Sequence, residues 1–162
     1  MASPRGDPAS HPISTLQEGM TGSCLCGSIK ITVKQKDLFN KPNGHICHCI
    51  NCRKSTGSAY ASLLMLPSAN VEISDPKGCL KTYLDYDTGS GNPLPRSFCS
   101  NCGSTVGEFH PLEKWTWLNL GIFPRIPQPE FEVFVAHRQG WMKPVTEGAK
   151  QYRFVEELKN YK

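Results

Sequence analysis

Seven of the eight cysteines in this 162-residue chain fall into three short clusters, so thiolate chemistry is the first chemistry on offer. The clusters are Cys24-Leu25-Cys26, Cys47-His48-Cys49-Ile50-Asn51-Cys52 and Cys99-Ser100-Asn101-Cys102, while Cys79 stands apart. A Cys-x-x-Cys knuckle turns two sulfurs to one side, where each can sit about 2.3 Å from Zn²⁺. Asn51 and Asn101 precede the second cysteine of a pair, and Asn tolerates left-handed backbone. Gly103 follows Cys102 and is free to take a positive φ. Counting ligands favours two zinc sites. Cys24, Cys26, Cys99 and Cys102 make four, the number of a closed structural site. Cys47, Cys49 and Cys52 make three, the number that leaves a working zinc one open position. A disulfide framework, a single zinc ribbon of Cys49, Cys52, Cys99 and Cys102, and an iron–sulfur cluster are the competing readings.

Three thiolates on one zinc leave a net negative charge. Such a centre is a poor Lewis acid and a weak source of hydroxide, but it can hold a substrate thiol as thiolate. That thiolate could attack an electrophilic carbon, and the reverse reaction cleaves a carbon–sulfur bond. His48 is the candidate proton donor by proximity, with His45 beside the cluster. Arg53 and Lys54 follow the third ligand and are candidate binders of a substrate carboxylate, with Arg96 and Lys81 as further cations. His45 and His110 read equally as surface histidines, Trp115 and Trp117 as alternate-face packing, and Cys79 as a buried, apolar-like cysteine.

These residues need a scaffold, and the patterning predicts one that is mainly β with little helix. Ile29, Ile31 and Val33 alternate with polar residues, as on a half-buried strand. Strands are also predicted over 59–66, 71–73, 79–86, 104–109, 115–122 and 131–136. Residues 88–95 read as a loop that cannot be a central strand. One helical turn is expected over 51–58 and a short terminal helix over 151–159. Residues 1–19, with Pro4, Pro8 and Pro12, read as a flexible tail, and 20–162 as a single domain. The longest apolar run is Leu63-Leu64-Met65-Leu66, too short to span a bilayer. No secretory leader is apparent, so an intracellular, cytoplasmic location is expected. The formal charge of +4 falls close to neutrality once seven thiolates and two Zn²⁺ are counted, which removes most of the case for a nucleic-acid partner.

With those motifs in place, the sequence resembles the family of glutathione-dependent formaldehyde-activating enzymes, which shares its domain with centromere protein V. The resemblance rests on Gly22-Ser23-Cys24-Leu25-Cys26-Gly27, on Cys47 to Lys54 with Gly57, and on Phe98-Cys99-Ser100-Asn101-Cys102-Gly103-Ser104. It implies small antiparallel sheets assembled around two zinc ions, one structural and one catalytic, and carbon–sulfur lyase activity on glutathione plus formaldehyde or a related thiol adduct. On this pattern Cys24, Cys26, Cys99 and Cys102 hold the structural zinc, and Cys47, Cys49 and Cys52 the catalytic one. Many family members carry His-Ile-Phe in a C-terminal strand where this chain has Glu132-Val133-Phe134. The alternative function is a non-catalytic zinc module binding protein or nucleic acid, which would need a fourth ligand such as His45 or Cys79 for the second metal.

Overall fold

A computed structural model of the chain describes residues 6–89, 91–109, 114–154 and 156–157. Two sheets carry the fold. The smaller has three antiparallel strands in the order β1 (Met20–Ser23), β2 (Lys30–Val33) and β5 (Val71–Ser74). The larger contains β3 (His45–Cys47), β4 (Ala61–Pro67), β6 (Leu80–Asp85), β7 (Leu94–Cys99), β8 (Thr105–Glu108), β9 (Trp115–Asn119), β10 (Phe131–Val133) and β11 (Lys150–Tyr152). Its spatial order is β11-β10-β3-β4-β9-β8-β7-β6. Pairing is antiparallel except at β10, which runs parallel to both β3 and β11. The protein is mainly β, as the patterning predicts. The one α-helix among the described residues is α1 (Ile50–Thr56), and no helix there is long and apolar enough to cross a membrane.

The alternation of Ile29, Ile31 and Val33 does what period-two patterning should: all three are buried in the main core, against Leu64, Leu66, Val106 and Leu118 of the large sheet. Strand β4 reads as a nearly unbroken apolar run because it is covered on both faces. Leu64 and Leu66 enter the main core, while Ala61 and Leu63 face a second cluster with Cys47, Cys52 and Val133. That second cluster is the apolar floor beneath the three-cysteine group.

Several expectations meet corrections. The terminal helix over 151–159 is replaced at its start by β11, because residues 150–152 find the open edge of β10, and residues 155 and 158–159 lie outside the described set. The predicted loop over 88–95 ends early: Leu94 and Pro95 open β7, a strand flanked by β6 and β8. Pro95 is tolerated because pairing with β8 begins one residue later, at Arg96, where an N–H is present. The strand over 131–136 stops at Val133, since Phe134 takes a left-handed φ of 57° and a 3₁₀ turn follows. From residue 6, the segment read as a tail forms two 3₁₀ turns, and Arg125 donates from Nη1 to the carbonyls of Pro8 and His11.

Candidate active site

The large sheet and its turns gather the cysteines into two groups. Cys24 and Cys26 occupy the β1–β2 turn of the small sheet, while Cys99 closes β7 of the large one and Cys102 lies in the turn that follows. All four sulfurs lie within 4.8 Å of one another. Tetrahedral zinc with thiolate bonds of about 2.3 Å requires sulfurs about 3.8 Å apart. The Cys26 sulfur is 3.5 Å from that of Cys24 and 3.7 Å from that of Cys99. The ionisation of the set is uneven. The Ser28 hydroxyl and then the Asn101 side chain bring Cys26 down to about 5, and the Ser104 hydroxyl brings Cys102 to about 7. Burial pushes Cys99 up to about 12.

The second group is built from one strand end and one helix start. Cys47 closes β3, Cys49 is the N-cap of α1, and Cys52 sits in its first turn, so three sulfurs converge within 4.8 Å. The Cys52 backbone N–H donates to the Cys49 sulfur at 3.3 Å, the contact an N-cap side chain makes. Gly57 ends the helix in the left-handed region at φ 62° and donates its N–H to the Arg53 carbonyl. The thiols compete for charge. Contacts from Cys47 and then Cys52 bring Cys49 down to about 2, while the contacts with Cys49 and Cys52, together with burial, push Cys47 far above its ordinary value. For Cys52, the contact with Cys47 is outweighed by Cys49 and by burial, which hold it up at about 12. Three thiolates this close repel one another unless a divalent cation lies between them. The donor set and its spacing therefore fit zinc at both groups.

Arg96 supplies a fixed positive charge to this group. It projects from β7, donates from Nε to Asp85 Oδ2 at 2.7 Å and from Nη1 to Glu108 Oε1 at 2.9 Å, and favours the anionic form of Cys49 and Cys52. Asp85 joins this arginine to the helix. Its two carboxylate oxygens accept from Asn51 Nδ2 at 3.2 and 2.9 Å, and its carboxyl is held below the ordinary range by Arg96 and Asn51 against the opposing effect of burial. A cavity of about 250 Å³ opens beside this network, lined by Cys52, Arg96, Glu108, Tyr83, Phe98 and Asn119 among others. Of the three-cysteine group, Cys52 stands in its wall.

His48 points elsewhere. It is fully buried, its Nε2 is 2.6 Å from Glu132 Oε2, and its Nδ1 has no hydrogen-bond partner among the described residues. Glu132 is equally buried. It accepts the Val145 N–H at 2.7 Å, has Arg138 Nη1 at 3.5 Å, and is held below the ordinary carboxylate range by its bonds to His48 and its other donors, against the effect of burial. The ring therefore fixes the Cys47–Cys49 loop to β10.

Placement of the remaining predicted residues is mixed. Arg53 is half-buried and Lys54 exposed, and neither lines the 250 Å³ cavity, which takes Arg96 instead. His45 is not a free surface histidine. It stacks on Phe131 with ring centroids 4.9 Å apart, and burial lowers it to about 4. Cys79 and His45 belong to neither sulfur group. Trp115 is partly exposed, and Trp117 is absent from the cavity wall. His110 lies outside the described residues. Asp85, Glu108 and Glu132 escape sequence reading. Asp85 and Glu132 are acidic residues inside strands, and only their burial with a partner marks them out.

Two thiolate groups of four and three, placed at the turns and helix start of a mainly β domain, define a class of cysteine-rich metal-site proteins. Comparison makes this specific. The profile of the family described as "Glutathione-dependent formaldehyde-activating enzyme" matches residues 19–137, and the chain belongs to that family. A protein of Halomonas elongata, provisionally named as a glutathione-dependent formaldehyde-activating enzyme, is 28% identical over 94 residues. The match covers 57% of this chain, and the chain spans only 57% of that relative's length. A crystal structure of a Rhodobacter sphaeroides protein aligns with a TM-score of 0.49 and 18% identity, covering 82% of this chain and 99% of that one.

Proposed function

We propose that this chain is a zinc-dependent carbon–sulfur lyase that makes and breaks the bond between a small thiol, such as glutathione, and the carbon of formaldehyde or a related adduct. Family membership supports the reaction class. The observation that carries the reading is the three-sulfur group of Cys47, Cys49 and Cys52 with Cys52 in the wall of a cavity. The non-catalytic alternative needs His45 or Cys79 as a fourth ligand, and neither is in the group.

Zinc held by Cys47, Cys49 and Cys52 would supply an open coordination position at which a substrate thiol is stabilised as thiolate. The chain does the rest. Arg96, clamped between Asp85 and Glu108, biases the ligand sulfurs toward the anionic form that metal binding requires. Asn51 locks α1, and with it Cys52, to the same carboxylate. His48 and Glu132 hold the Cys47–Cys49 loop, so His48 acts as a positioning residue. The cavity admits thiol and aldehyde together and limits the water around them. In the forward direction the sulfur attacks the carbonyl carbon, a carbon–sulfur bond forms, and the carbonyl oxygen takes up the proton that the thiol gave up. The reverse returns thiol and aldehyde. Because the ligands must be reduced thiols, this reading places the working protein in a reducing compartment.

Calorimetry with zinc-loaded and zinc-depleted protein tests the reading. Glutathione should bind at least about tenfold more tightly than S-methylglutathione, since methylation removes the ionisable sulfur. Equal affinities, or binding that persists without zinc, would show that the sulfur never meets the metal.

A further inference from the structure

Strand β7 holds Arg96 between carboxylates of its two neighbouring strands. Glu108 stands directly across from it on β8 and Tyr83 on β6, with Asp85 two residues along β6 on the face of Tyr83. Arg96, Glu108 and Tyr83 line the 250 Å³ cavity together with Cys52. The ladder between β7 and β8 shifts register at Ser97 and Phe98, beside the arginine, a device that re-aims side chains at a site. A guanidinium has five N–H donors. Asp85 takes one from Nε and Glu108 one from Nη1, while Nη2 bonds to no described residue and is not sealed from solvent. The side chain is only 14% exposed. Burial works against its charge, but the Asp85 bond and the charge of Glu108 more than offset that and raise it above its ordinary value. The wall of the cavity thus carries a permanent cation, held still, with donors to spare.

A thiolate that attacks a carbonyl carbon pushes the π electron pair onto oxygen. The alkoxide then develops beside a three-thiolate group that stays net negative when metallated, and a preorganised cationic donor offsets that repulsion. Resting on the carbon–sulfur reading above, we infer that Arg96 is a catalytic residue whose spare N–H groups bond the aldehyde oxygen and carry the charge of the alkoxide. In the forward direction the carbon–sulfur bond forms, the carbonyl π bond breaks, and the alkoxide takes up the proton that the thiol released. Arg96 donates hydrogen bonds throughout and keeps its own protons. In reverse it holds the hydroxyl oxygen as alkoxide while the carbon–sulfur bond breaks and its electron pair returns to sulfur. Asp85 and Glu108 are positioning residues, which fix the fork before substrate arrives.

Kinetics with glutathione and formaldehyde, and calorimetry with glutathione alone, test this on the zinc-loaded full chain. Arg96→Lys keeps a cation between the carboxylates but loses the planar fork, and Arg96→Gln loses the charge as well. Both variants should lower kcat, Arg96→Gln by about a hundredfold, while glutathione affinity falls far less. Nitrogen-15 NMR of the wild-type guanidinium supplies a readout that needs neither turnover nor a folded variant. The Arg96 Nη signals should move when formaldehyde joins the glutathione complex, and should not respond to formaldehyde when S-methylglutathione, which forms no adduct, takes its place. Unchanged kcat in both variants, or Arg96 signals that ignore formaldehyde in the glutathione complex, would overturn the assignment and leave the carbon–sulfur reading standing. A wild-type chain that joins no thiol to formaldehyde would overturn that reading and this inference with it.

Discussion

Asp85 shows how much one carboxylate can organise. It is nearly buried, and it accepts bonds from Arg96, Asn51 and the Asp87 N–H at once. Replacing it by Asn keeps the size but leaves the Arg96 guanidinium with one carboxylate instead of two. Asp85→Asn should cost about 2 kcal/mol in urea unfolding, the scale for depriving a buried charged group of its partner. The pH dependence follows from the direction of its shift. The folded carboxyl titrates below the unfolded one, so its contribution is complete above about pH 4 and fades as pH falls through the folded value. The Asn variant should therefore lose less stability than wild type between about pH 4 and pH 2. An acid limb of unchanged steepness would show that Asp85 is not the group responsible. His48 and Glu132 form the other buried pair, and Glu132→Ala should destabilise more than Glu132→Gln, whose single oxygen can still accept one of the two bonds, that from the Val145 N–H, and whose amide keeps the volume filled. Equal losses in the two variants would argue that only the charge matters.

Among the elements, α1 is short but consequential, because its first turn carries Cys52 and positions Cys49 as cap. Its end depends on Gly57, whose φ of 62° costs an L-residue about 1 kcal/mol. A Cβ at this position meets nothing within 4 Å, so Gly57→Ala should destabilise by that amount through backbone strain alone. Thermal melts would check it, and a much larger loss would point to a packing role the open surroundings do not provide. This helix and the two groups of converging cysteines were legible in the sequence, since short cysteine spacings encode turns that bring sulfurs together regardless of the rest of the fold. Strands β4 and β9 were legible through apolar runs and alternation. The Glu132–His48 pair was not. It depends on β10 lying parallel beside β3, with the partners 84 residues apart, and no local pattern announces a parallel neighbour. Strand β7 was hidden for a different reason: Pro95 and the glycine-rich stretch before it look like loop, and only the offset start of the β8 ladder makes the proline harmless.

At the level of the whole molecule, the four-sulfur group bridges the two sheets, since Cys24 and Cys26 belong to the small sheet and Cys99 and Cys102 to the large one. The three-sulfur group bridges only a strand and the helix that follows it. Cys99→Ser should therefore lower the melting temperature sharply, because structural zinc can contribute ~10 kcal/mol to folding, while Cys49→Ser should leave most of the fold standing and remove thiol binding. Differential scanning fluorimetry of the two variants would separate them, and equal collapse would contradict this division. Metal analysis of freshly purified, reduced protein should give about two zinc per chain, with one removed by a mild chelator well before the other, since three ligands leave a path for exchange that four close.

The same contrast between near and distant ligands sets an order of events during synthesis. Cys47, Cys49 and Cys52 leave the ribosome as one short stretch, whereas Cys26 must wait for Cys99, 73 residues further on, before its set can close. A nascent chain halted between Cys52 and Cys99 would hold the sulfurs of the three-cysteine group complete and those of the sheet-joining group half made, with Cys24 and Cys26 open to oxidation. The four-sulfur clamp between the sheets is thus the last group to be completed. If both groups bind zinc, a shortage during translation would first show as chains whose three-cysteine group is assembled on a fold that has not yet been fastened.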